Sequence, residues 1–189
     1  YAHMQKKIDL EKAMSSFTVA HPLKLFDCSL ITDGAAAILL ASEEKAKAIS
    51  KKPVWFAGLS LATDTMRITE RESLTSIRAS REAAKIAYKM AGVKPSDIDV
   101  ATVHDCFTIA EIVAYEDLGF CEKGEGGKLI AAKETYVDGK IPVNVDGGLK
   151  SKGHPLGATG VSMAVEISKQ LRGEAGDRQV KNAEIGLTH

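Results

Sequence analysis

Between residues 75 and 118 the hydrophobic period of the sequence switches twice, from helix to strand and back, and that switch restricts the chain to an α/β architecture. Ala79, Ala83, Ile86, Ala87 and Met90 recur at helical spacing over 75–91, and Gly92 with Pro95 stops that helix. Residues 98–103 then alternate as a strand does, and 108–118 return to the helical period. Further strands are expected at 35–41 (AAAILLA, after the turn signal Thr32-Asp33-Gly34), 54–61 and 184–187. Further helices are expected at 43–49 and 158–171, with a short one at 128–132, and 1–17 reads as a helix or a loosely ordered lead-in. Strands alternating with helices imply a sheet under helical cover.

Composition excludes several functions. Twenty-five basic residues offset twenty-five acidic ones, so no polyanion-binding surface and no nucleic-acid partner is expected. No apolar run approaches the length of a membrane span. Cys28, Cys106 and Cys121 are odd in number and widely spaced. That argues against a disulfide framework or a structural zinc site, and for a reducing, cytoplasmic setting.

Two constellations carry chemistry. The strand at 98–103 runs into His104-Asp105-Cys106-Phe107, and Thr108-x-x-Glu111 then reads as a capping box. Cys106 therefore lies at the carboxyl end of a strand and just before a helix, the edge where ligands bind in open α/β sheets. A helix start favours thiolate, so a lowered Cys106 pKa is expected. In strand geometry His104 and Cys106 point to one side. Taken singly, each fits an inert residue better than a catalytic one; together, at a strand-to-helix junction, the two readings are about balanced. No metal site is assigned, because adjacent residues seldom converge on one ion.

The second constellation places five glycines in the fourteen residues 147–160, where average usage of ~7% predicts about one. Neither the G-x-x-x-x-G-K-[ST] nor the G-x-G-x-x-G spacing is present, so ATP and dinucleotide binding fail on spacing. Pro155 biases His154 towards extended backbone and suits a first helical turn itself. The imidazole then stands at the mouth of the following helix, where it can donate to a substrate oxygen or act as a base near neutral pH.

These residues resemble a known family. Gly153-His154-Pro155-Leu156-Gly157-Ala158-Thr159-Gly160 is similar to the G-H-P-x-G-x-[ST]-G signature of thiolases. His104-Asp105-Cys106-Phe107 resembles the H-D-C-F box of sterol-carrier-protein-2-type thiolases, and residues 29–37 (SLITDGAAA) resemble the opening of the C-terminal thiolase domain. The resemblance implies a thiolase-fold C-terminal domain over 27–189, a mixed, mostly five-stranded sheet covered by helices. Residues 1–26 would be the lead-in from an N-terminal half, and the chain a truncated fragment lacking its final strand.

The resemblance also implies roles. His154 activates a nucleophilic cysteine and helps bind the thioester oxyanion, Cys106 is the acid–base cysteine, and His104 stabilises the enolate. Ser29, Gly153 and Gly157 fall to coenzyme A contacts, Ser29 along the pantetheine arm. The implied activity is acyl-CoA:acetyl-CoA C-acyltransfer, as thiolysis of a 3-ketoacyl-CoA or Claisen condensation. Coenzyme A and acyl-CoA are then substrates, no cofactor is held permanently, and the protein is a homodimer or tetramer, with accessory subunits also considered. The nucleophile belongs to the other half, so the chain alone is expected to be inactive and marginal in stability. A retro-aldolase on CoA thioesters and a non-catalytic CoA-binding scaffold are the alternatives; retention of Cys106 counts against the first.

Overall fold

The computed structural model describes residues 2–189. Its centre is strand β3 (Val100–Thr102), wholly buried and paired in parallel with β4 (Gly186–Thr188) in the register Val100↔Gly186, Ala101↔Leu187 and Thr102↔Thr188. Ala101 also forms a parallel bridge with Val143. (The remaining strands, β1 at Thr18–Ala20 and β2 at Leu23–Lys24, make a small antiparallel hairpin.) Successive strand residues face opposite sides, and the core divides accordingly. Ala101 and Val103 pack with Ala84 of helix α3 (Arg78–Ala91) and with Ala114, Tyr115 and Leu118 of and beside helix α4 (Thr108–Asp117). Val100 faces the other way, onto Ile167 of the long helix α7 (Leu156–Arg172), together with Val180 and Ala183. Gly186 lets β4 lie close to α7, since a Cβ there would overlap Ile167.

Sequence accounts for the helix ends. Gly92 takes φ +70 and Gly173 φ +78, left-handed caps that close α3 and α7. The N-terminus of α3 lacks a cap of its own. Instead Asp117 of α4 accepts from Ile77 N–H and from the Ser76 hydroxyl, both at 2.6 Å, joining the two helices on one face of β3. The other α-helices of the described residues are short: α1 (Leu10–Met14), α2 (Glu43–Ile49), α5 (Gly126–Ala131) and α6 (Gly148–Ser151).

The α/β class, with small sheets under helices, agrees with the sequence reading, but the sheet is smaller than the expected five strands. Residues 35–41 and 54–61 form no ladder among the described residues. An extended run becomes a strand only where a neighbour supplies its N–H and C=O partners, and here none does. The apolar side chains of these runs stay accessible, Leu39 at 80% and Leu61 at 89%. The capping box also fails. Thr108 donates to Asp27 Oδ1 at 2.7 Å, and Glu111 accepts from Tyr115 at 2.6 Å, so tertiary partners take both groups and Phe107 is the cap residue. Residues 1–17 are helical only over α1; Tyr1 lies outside the described residues.

Candidate active site

The chain leaves β3 through Val103, whose N–H is held by Asn144 Oδ1 at 2.9 Å. Burial then alternates: Val103 and Asp105 are buried while His104 and Cys106 are half-buried. That pattern puts His104 and Cys106 on one side and Asp105 on the other, as extended backbone requires.

Asp105 ties this loop to the glycine-rich one. Its carboxylate accepts from Leu149 N–H, at 2.9 Å to Oδ1 and 3.1 Å to Oδ2. Gly148 sits against it at φ +57, and a Cβ there would overlap the carboxylate. Lys150, one residue beyond Leu149, reaches back to the carbonyls of Cys28 (2.5 Å) and Leu25 (3.0 Å), over the Phe26 ring. Ser29 N–H donates to Cys106 C=O at 2.9 Å. Three segments far apart in sequence are thereby laced around one centre.

His154 enters that centre from the glycine-rich loop. It is buried, its N–H donates to Thr32 Oγ1 at 2.8 Å, and its Nδ1 lies 2.8 Å from Thr159 Oγ1. Its ring meets that of His104 edge to face, with centroids 5.0 Å apart and planes at 77°. Gly153 is buried at φ +114 against Thr32, so its lack of a side chain answers a close approach of backbone to Thr32. Gly157, by contrast, is exposed in the first turn of α7. It borders a cleft of about 440 Å³ between residues 32–36 and 155–158.

Electrostatics correct one expectation. Burial pushes the Cys106 thiol up, and the charge of Asp105 adds to this, outweighing the backbone N–H of Phe107. Cys106 therefore rests as a protonated thiol, a proton donor and not a preformed thiolate. Burial and His154 lower the His104 pKa, against a smaller opposing pull from Asp105, and the net lowering favours the neutral imidazole.

Behind the loop, Glu111, read from sequence only as half of a capping box, is a half-buried carboxyl with tertiary partners. Glu111 accepts from Tyr115 and, at 3.2 Å, from Asn144, which bridges it to Val103 from a left-handed backbone (φ +51). Burial raises Glu111 from 4.5 to about 7, with Asp105 adding to the rise. A folded-state pKa above the unfolded one means that the folded chain holds this proton more tightly. The stability it contributes is complete below about 4.5 and is lost as pH rises through about 7. Glu111→Gln, which keeps the acceptor and cannot ionise, is expected to flatten the fall in denaturant midpoint across that window. Equal slopes in the two proteins would contradict this.

Comparison with known proteins places these residues in context. The model of a family described as thiolase C-terminal domain-like matches residues 60–189. An acetyl-CoA acetyltransferase of Methanothermobacter thermautotrophicus is 50% identical over 188 residues, covering 100% of this chain and 49% of that protein. Sterol carrier protein 2 of Oryctolagus cuniculus is 42% identical over 194 residues, 100% of this chain and 36% of that protein. Among solved structures, one titled Ltp2-ChsH2(DUF35) aldolase superposes with a TM-score of 0.86 at 25% identity, over 97% of this chain and 48% of its own. The chain thus spans about half the length of its acetyltransferase relative, and less of the sterol carrier protein.

Proposed function

The chain belongs to the thiolase family, and on that premise we propose that it supplies the acid–base and oxyanion-binding residues of an acyl-CoA:acetyl-CoA C-acyltransferase. The observation that carries this reading is the meeting of His104 and His154, rings 5.0 Å apart, beside a loop that also holds Cys106. Two imidazoles and a protonated thiol are what thioester carbon–carbon chemistry requires: a base, a hydrogen-bond donor for a developing oxyanion, and a proton shuttle.

In this account the nucleophilic thiol comes from the part of the polypeptide outside this chain. His154 takes its proton as it attacks the 3-keto carbonyl of a 3-ketoacyl-CoA. Cleavage of the carbon–carbon bond leaves an acyl-enzyme and an acetyl-CoA carbanion. Cys106 delivers its proton to that carbon, and His104 hydrogen-bonds the enolate oxygen while charge resides there. Cys106 then recovers a proton from the incoming coenzyme A thiol, whose sulfur takes the acyl group, and the released enzyme thiolate regains its proton from His154. Condensation is the same sequence reversed. Coenzyme A thioesters are substrates here, and Ser29, Gly153 and Gly157 would serve the coenzyme A side of the cleft. Of these, only Gly157 is both exposed and on the cleft wall. A homo-oligomer of the full-length protein completes the proposal.

The aldolase likeness supports a second reading, retro-aldol cleavage of a CoA thioester, on the ground of fold. Cys106 separates the two. Cys106→Ala in the full-length polypeptide is expected still to form an acyl-enzyme from an acyl-CoA, more slowly because coenzyme A must leave as the unassisted thiolate, while lowering thiolysis by about 10²–10⁴-fold, the range for a lost acid–base group. Thiolysis unchanged in Cys106→Ala would remove the cysteine from the mechanism. Mass spectrometry of the acyl-enzyme and release of acetyl-CoA read the two steps apart.

A further inference from the structure

We propose that Thr159 is a positioning residue that fixes neutral His154 as its Nδ1–H tautomer and so leaves the lone pair of Nε2 free for proton abstraction. The kinetic part of this inference rests on the acyltransferase reading; the tautomer does not.

Thr159 lies in the first turn of α7, five residues after His154, and is 2% exposed. Its hydroxyl oxygen stands 2.8 Å from His154 Nδ1 and 3.2 Å from the Pro155 carbonyl. A threonine hydroxyl carries one proton. A carbonyl can only accept, so when that proton goes to Pro155, the oxygen must accept from His154, and Nδ1 must be the protonated nitrogen. The chain of donors then runs His154 Nδ1–H, Thr159 O–H, Pro155 C=O, with each group satisfied inside a buried corner.

The rest of the ring's setting is consistent with a fixed orientation. Thr32 holds the backbone N–H of His154, and His104 abuts the imidazole at 77°. Within this frame the Thr159 hydroxyl is the group bonded to Nδ1, so it selects which nitrogen carries the proton. The other nitrogen then begins the reaction as a base. Once it has taken a thiol proton it becomes an N–H donor, able to face the oxyanion created by the attack of that thiolate.

The test uses the full-length polypeptide with ¹⁵N-labelled histidine, the His154 signals being identified by their loss in His154→Ala. The parent is expected to show a protonated Nδ1 and an unprotonated Nε2 in the neutral ring. Thr159→Val, nearly isosteric but without the hydroxyl, should give a mixture of tautomers. It should also lower kcat for acyl transfer about fivefold to tenfold, the worth of one buried hydrogen bond, with KM for coenzyme A unchanged. Thr159→Ser should restore both readouts. A protonated Nε2 in the parent, or a Thr159→Val protein with the parent's tautomer and rate, would overturn the proposal. If the parent shows no acyl transfer but its tautomer is Nδ1–H and is lost in Thr159→Val, the positioning role stands and the reaction assigned to the site falls.

Discussion

His154→Ala in the full-length polypeptide is expected to lower the rate of acyl-enzyme formation about 10³-fold, the middle of the range for a general base. The effect should fall on kcat, with little change in KM, because the imidazole acts on the reacting thiol and carbonyl and not on the length of coenzyme A. Three contacts make this histidine hard to replace: Thr32 holds its backbone, Thr159 its Nδ1, and His104 abuts its ring. His104 is half-buried with a lowered pKa, yet no contact places it where His154 stands, so it should not take over. Rapid-mixing measurement of the acylation phase checks this. A loss of less than tenfold would mean that the base lies elsewhere.

Gly148→Ala is expected to destabilise the protein by roughly 2–5 kcal/mol, from overpacking plus the left-handed backbone. At φ +57 an alanine is strained before any contact is counted, and its Cβ would overlap the Asp105 carboxylate. Asp105 cannot retreat freely. It is 6% exposed, and its two oxygens share the Leu149 N–H that starts α6. Relief must therefore come from parting the His104–Cys106 loop from the loop that carries His154. The expected signature is a lowered denaturation midpoint together with lost activity. Gly157→Ala, on the exposed first turn of α7 with no atom within 4 Å of an added Cβ, should leave the midpoint nearly unchanged and serves as the control. Similar midpoints for the two variants would show that the contact between the loops is dispensable.

Much of the helical framework was legible in the sequence, because helix signals are local. The run at 43–49 becomes α2 over Glu43–Ile49, and Gly92 closes α3 as its position after the last apolar residue implies. The strand at 98–103 was legible for the same reason, although only Val100–Thr102 carries the parallel ladder. Residues 35–41 and 54–61 were misread because an apolar run specifies burial and extension, whereas a strand needs a partner that no local pattern encodes. The capping box failed similarly: Thr108 and Glu111 have the right spacing, but Asp27 and Tyr115, from elsewhere in the fold or one turn on, compete for them.

The site was legible in part. His104, Cys106 and His154 were named from sequence, and the structure brings the two histidine rings together. The residues that hold them were missed or left without a role. Asp105, Lys150, Thr32 and Thr159 act through contacts spanning 5 to 125 positions; Asp105, Thr32 and Thr159 stand inside the three resembling motifs, but their place there gave no role, and Lys150 had no signal of its own. The direction of the Cys106 shift was misjudged because a helix start is visible in sequence, whereas the burial that outweighs it is not.

The central claim is tested most directly by incubating the full-length polypeptide with acetoacetyl-CoA and following coenzyme A and acetyl-CoA. The account expects one coenzyme A consumed and two acetyl-CoA formed for each acetoacetyl-CoA cleaved. A folded protein that binds coenzyme A but leaves acetoacetyl-CoA intact, while splitting a 3-hydroxyacyl-CoA without consuming coenzyme A, would contradict it and establish the aldolase in its place.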